Sequence, residues 1–122
     1  MNTEDVIRIH EKLCIHAQAL MRKKQADYTN GTDDPFRNFA LGPSMGVGTV
    51  PSGIFIRFLD KVSRLATYIH KGKFQVNESL EDTIVDAMNY LVLLKASVIL
   101  EESNSVTQPE EIHCGCPACR KA

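Results

Sequence analysis

Residues 78–95 read ESLEDTIVDAMNYLVLLK, and their pattern is that of one helix. Ser79 is placed to cap its N-terminus, with Asp82 three positions on in a shortened capping box. Ile84, Met88, Leu91, Val92 and Val98 recur at steps of three and four, the spacing of a stripe that faces a core. Beside it runs a polar stripe, Glu78, Asp82, Asp86 and Asn89, at i, i+4, i+8 and i+11. Acids in a first turn complement the helix dipole, which accounts for Glu78, Glu81 and Asp82. Asp86 lies two turns in, between Val85 and Ala87, where a buried carboxylate needs a partner or a cation. Two readings stay open for it: membership of a functional acidic cluster, or an ion pair with an arginine on a neighbouring helix.

Two further helices flank this one in sequence. From Gly53 to about His70, with Ser52 as the expected N-cap, Phe55, Leu59, Val62, Ala66 and Ile69 form an apolar stripe that Ile54, Phe58 and Leu65 widen. Its polar face is narrow, Arg57, Asp60, Lys61 and Arg64, and Asp60 can pair with either arginine on the same helix. So apolar a helix is expected to be buried nearly all round, with its charged stripe turned to the acidic side of the 78–95 helix. The first helix runs from Thr3 to about Lys24, with Val6, Ile9, Leu13, Ala17 and Leu20 at helical spacing. His10 and Cys14 are an i, i+4 pair on it, read as an exposed imidazole beside a half-buried thiol. With no alternating strand pattern, sustained heptad or repeat, the expectation is an all-α, antiparallel bundle of three long helices. The apolar surface of the Gly53–His70 helix exceeds what two neighbours in one chain cover, so a homo-oligomer is expected.

Between the first two helices, residues 25–53 hold five of the seven glycines and three of the five prolines. A connection this long in a small domain is usually functional when ordered. It carries Asp27, Tyr28, Phe36, Arg37, Asn38 and Phe39, with a short helical turn expected over Pro35–Leu41. Rings, an amide and a guanidinium can stack on a base and hold a phosphate; Phe36 and Phe39 can equally pin the loop to the core.

The 122 residues suffice for one domain with one core, expected over 1–102, followed by a polar linker and a cysteine-rich tail over 103–122. A hydrophobic content of 43% and a net charge of −1 fit a globular protein and advertise neither nucleic acid nor disorder. The charged, helix-patterned N-terminus does not read as a signal peptide, and no apolar run approaches the roughly 20 residues that span a bilayer, so no membrane partner and a cytoplasmic location are expected. The tail HCGCPACRKA places His113, Cys114, Cys116 and Cys119 within seven residues, a zinc half-site by ligand type; a flexible thiol tail or a site completed by a second subunit are the alternatives.

Three stretches together, KKQADYTNGTDDPFRNF (23–39), IRFLDKVSRL (56–65) and ESLEDTIVDAMNYLVLL (78–94), resemble the phage-associated nucleotide modification associated domain family. That family is similar to the all-α NTP pyrophosphohydrolases of the MazG and dimeric dUTPase type. The resemblance implies a nucleotide or nucleotide-derived ligand and, for a phage protein, the host cytoplasm. MazG-type enzymes hold Mg²⁺ with E-x-x-E on one helix and E-x-x-D on the next. This chain offers Asp60 on the first and Glu78, Asp82 and Asp86 on the second. Two functions follow. In a pyrophosphohydrolase, Glu78 or Glu81 with Asp82 and Asp86 would hold Mg²⁺, and Asp60 would lie opposite. Arg57, Lys61 and Arg64 would neutralise the leaving pyrophosphate, and Asp27 to Phe39 would hold base and sugar. In a protein without chemistry, the same basic and aromatic residues, with Asn89, sequester a nucleotide-derived immune signal of cyclic or ADP-ribose type.

Overall fold

The computed structural model describes residues 1–28, 33–73 and 79–106, and all regular structure among them is helical. Helix α1 spans Thr3–Tyr28, a 3-10 turn covers Arg37–Phe39, and α2 is the single turn Leu41–Ser44. Helices α3 (Val50–Lys71) and α4 (Leu80–Val106) complete an all-α fold. Glu78, His113, Cys114, Cys116 and Cys119 lie outside the described residues.

The ends of the helices follow from local chemistry and correct three expected boundaries. Ser79 caps α4 as expected, its hydroxyl accepting from the Asp82 amide at 3.0 Å. Ser52 does not cap α3. Thr49 does, accepting from the Ser52 amide at 3.2 Å while Ser52 Oγ accepts from the Thr49 amide at 2.8 Å. This reciprocal box starts the helix three residues before Gly53, and Pro51 then sits in the first turn, where its missing N–H costs nothing. Gly72, at φ 76°, ends α3 in the left-handed conformation. Helix α1 continues past Lys24, so Asp27 and Tyr28 belong to its last turn rather than to a loop. Helix α4 continues through Ser103, Asn104 and Ser105, which were expected as linker; Ser105 Oγ donates back to the Glu102 carbonyl.

Helix α4 is the organising element. It packs along α3 and, more locally, on α1, while α1 and α3 make little direct contact. Lys61 meets Asp86, and Val50 shares a cleft with Ser97 and Asn104, so α3 and α4 are antiparallel. His16 meets Glu81 near the start of α4, and Met21 and Gln25 share a cleft with Tyr90 and Leu93 further along, so α1 and α4 run in the same direction. The residues of α1 before His16 therefore run past the beginning of α4, which leaves Val6, Ile7 and Ile9 exposed.

The core is narrow and built on small residues. Ala17, Ile54, Val85 and Ala87 are buried, with Thr83 and Ser97. Small side chains on α4 let neighbouring helices approach closely. The two buried hydroxyls donate to carbonyls of the preceding turn, Ser97 to Leu94 at 2.8 Å and Thr83 to Ser79 at 3.5 Å. Fully burying Ile54 and Val85 is worth roughly 1.5–3 kcal/mol each.

The largest departure from expectation concerns which side of each helix faces in. On α3 the inward positions are Ile54, Phe58, Lys61, Leu65 and Tyr68, whereas Phe55, Leu59, Val62, Ala66 and Ile69 are all exposed. On α4, Leu91 and Val92 of the expected core stripe are about half exposed. The α3 helix is thus not buried nearly all round. Periodicity located the apolar stripes correctly, but burial went to the neighbouring side, where Lys61 and Asp86 can meet. Helix α4 is also long and apolar enough to cross a membrane by length and composition, contrary to the expectation that no segment is. Its Asp86 is held by two lysines from neighbouring helices, the arrangement of a bundle's central helix.

Candidate small-molecule site

Asp86 enters the bundle where α1 and α3 both approach α4. Lys24 Nζ of α1 lies 2.8 Å from its Oδ1, and Lys61 Nζ of α3 lies 3.0 Å from its Oδ2. One ammonium group thus serves each carboxylate oxygen. The Asp86 and Lys61 side chains are 11% and 14% exposed, and Lys24 is 36% exposed on the solvent side. The partner of Asp86 is therefore a pair of lysines and not the single arginine considered from sequence. Burial raises the carboxyl pKa, but hydrogen bonds from Lys24 and Lys61 and the fields of both ammonium groups outweigh it, holding Asp86 below its ordinary value. It is ionised at neutral pH.

A small cleft of about 50 Å³, open to solvent, lies beside this triad. Met21, Lys24 and Gln25 reach it from α1 at i, i+3 and i+4, and Tyr90 and Leu93 from α4, one and two turns beyond Asp86. Pro35, Asn38 and Phe39 close it from the connection between α1 and α2. The 3-10 turn sets that wall: Phe39 N donates to the Phe36 carbonyl at 2.9 Å, and Asp34 Oδ1 accepts from Phe36 N at 3.0 Å. Phe39 also lies over Gly53 of α3. The cleft thus presents two aromatic rings, two amides, an ammonium group and apolar walls.

The residues singled out in the sequence divide into groups. Asn38 and Phe39 line this cleft, while Phe36 lines another with Val50, Ser97 and Leu100, so the two rings lie on different sides of the 3-10 turn. Arg57 borders a third depression, with Asn38, Phe39 and Ser52 at the start of α3. Lys61 and Asp86 meet as expected. Asp60 does not join them; it pairs with Arg64 on its own helix at 3.4 Å, at an exposed position. Asn89 donates to the Ala17 carbonyl of α1 at 3.0 Å, fastening the helix crossing. Asp27 and Arg37 are exposed.

The described carboxylates proposed for Mg²⁺, Glu81, Asp82 and Asp86, do not converge. Glu81 Oε2 is 2.8 Å from His16 Nδ1, both Asp86 oxygens face ammonium groups, and Asp82 is exposed in the first turn. No group of three potential metal ligands occurs among the described residues, so Glu81, Asp82 and Asp86 do not by themselves form a site for the ion. His10 and Cys14 lie 3.5 Å apart, imidazole exposed and thiol half-buried, as expected.

Sequence reading missed Lys24, Gln25 and Tyr90 as site residues. Tyr90 was legible as the i+4 neighbour of Asp86. Lys24 and Gln25 were assigned to a helix end and a loop, and only the continuation of α1 to Tyr28 brings them to the cleft. Compared with protein-family models, curated proteins and solved structures, the chain matches none.

Proposed function

We propose that the chain binds a nucleotide or nucleotide-derived small molecule in the cleft between α1, the 3-10 turn and α4. The observation that carries this reading is the combination of Phe39 and Tyr90 rings, Asn38 and Gln25 amides and the Lys24 ammonium around one opening. The rings offer faces to a base, and the amides offer donors and acceptors to its edge. Lys24 is the cation for a phosphate, held in place by Asp86, which Lys61 anchors from the other side. The resemblance of residues 23–94 to nucleotide-associated phage proteins supports the same ligand class. The described residues favour binding over hydrolysis, because the acid best placed near the cleft is already occupied by two ammonium groups. On this reading the protein sequesters its ligand, and a phage protein that does so would withhold a nucleotide-derived signal.

The experiment is incubation with a nucleotide panel with and without Mg²⁺, followed by denaturation and chromatography of the small molecules. Intact nucleotide, released only on denaturation, is expected. Pyrophosphate formed only with Mg²⁺ would establish the competing hydrolase. Phe39→Leu and Tyr90→Leu keep apolar bulk and remove the ring face or hydroxyl, and each is expected to weaken binding about tenfold with unchanged helicity. Binding untouched by both variants and by Lys24→Met would place the ligand elsewhere.

A further inference from the structure

We infer that the cleft where the start of α3 meets the end of α4 binds a small organic ammonium ion, at a site separate from the one proposed for a nucleotide. The cleft measures about 280 Å³ and opens to solvent. That is near the lower end, roughly 300 Å³, of the volumes of small-molecule sites. Asp34 and Phe36 reach it from the connection before α2, Val50 from the first turn of α3, and Leu100 and Glu101 from α4. The 3-10 turn sends Phe36 to this side and Phe39 to the other, which keeps the two clefts apart.

The chemistry of the lining decides the charge of the ligand. Phe36, Val50 and Leu100 are apolar walls, and among the described residues the charged groups of the cleft are the two carboxylates, with no lysine, arginine or histidine beside them. Neither Asp34 nor Glu101 has an ion-pair partner among the described residues. Asp34 Oδ1 accepts from the Phe36 amide at 3.0 Å, which ties that carboxylate to the residue bearing the ring. Asn104, in the last turn of α4, brings the carbonyl end of the helix to the same cleft, and Glu101 adds to its negative field instead of offsetting it. The start of α3 offers little to an anion, because Pro51 has no N–H and Thr49 already holds the Ser52 amide. An ammonium group pairs with carboxylates and is drawn to a ring face, while apolar walls take its carbon body. A bare metal ion is a poorer match. It needs several ligands, and no group of three potential ligands occurs among the described residues.

The test is isothermal titration of the full chain at low salt, without nucleotide, using butylammonium, with butanol and butyrate as neutral and anionic probes of similar size. Butylammonium is expected to bind with a dissociation constant of about 1 mM, about tenfold tighter than butanol, and butyrate to give no binding heat. Glu101→Gln and Asp34→Asn each remove one charge at an exposed position, and the asparagine can still accept from the Phe36 amide. Each is expected to weaken butylammonium about tenfold, leaving butanol binding and helical circular dichroism unchanged. Phe36→Leu is expected to weaken the ammonium ion about threefold more than butanol. No butylammonium binding up to about 100 mM, butanol or butyrate binding as tightly, or an ammonium affinity untouched by both carboxylate variants would each overturn the inference.

Discussion

Removing the charge of Asp86 leaves Lys61, largely buried, without its carboxylate. Stranding a partly buried charge costs more than losing a surface ion pair. Asp86→Asn is therefore expected to lower stability by about 1–3 kcal/mol in urea unfolding at fixed chain concentration. Replacing Lys61 by Met in the same chain should recover part of that loss, since the stranded charge is gone. A single variant indistinguishable from the parent would show that the triad contributes nothing to folding. The same group predicts a pH dependence. Its folded pKa is lowered, so its contribution is complete above the ordinary aspartate range, about 4, and is lost as pH falls through the folded value. The unfolded chain binds the proton first on acidification, so the urea midpoint of the parent should fall more steeply below about pH 5 than that of Asp86→Asn. Parallel curves would assign the acid limb to other carboxylates.

At the level of elements, the start of α3 depends on Gly48, Thr49 and Ser52. Thr49 satisfies the Ser52 amide, and Thr49→Ala is expected to cost about 1 kcal/mol while Thr49→Ser costs little. Gly48 precedes the cap at φ 69°, and a Cβ there would meet Ser52 Oγ at 2.9 Å. Gly48→Ala thus combines backbone strain with a disturbed cap, and a loss of about 1–3 kcal/mol is expected. Thermal denaturation of the two alanine variants checks the order: a Gly48→Ala protein as stable as Thr49→Ala or more so would show that the loop relaxes freely. The consequence reaches the cleft, because Gly53, three residues into α3 past Val50, is the surface on which Phe39 rests.

On the scale of the whole molecule, the described helices pack on one another through α4. Their buried residues, from Ala17 to Ser97, all belong to 1–106. Chelation with EDTA is therefore expected to leave the helical circular dichroism unchanged, as is truncation after Val106. A large loss of helicity with chelator would assign a folding role to a metal bound through the cysteine-rich tail.

The three long helices were legible in the sequence because apolar residues at steps of three and four, Ser79 at the start of α4 and Gly72 at the end of α3 are local signals. That the charged side of α3 faces the acidic side of α4 was anticipated because charges embedded in apolar helices need each other, although the partner expected for Asp86 was an arginine and not Lys61. Tertiary structure decided the rest. Periodicity cannot say whether an apolar stripe faces its own chain or another, so the α3 residues Phe55, Leu59 and Val62 looked like core and are surface. The sequence offered Asp60 both a pair on its own helix and a place in the cluster, and the rotation of α3 against α4 decided for the pair with Arg64. Nor could periodicity bring Lys24 from α1 to Asp86, sixty-two residues away, because the crossing of two helices is set by the packing of Ala17 and Asn89 between them and not by either sequence alone.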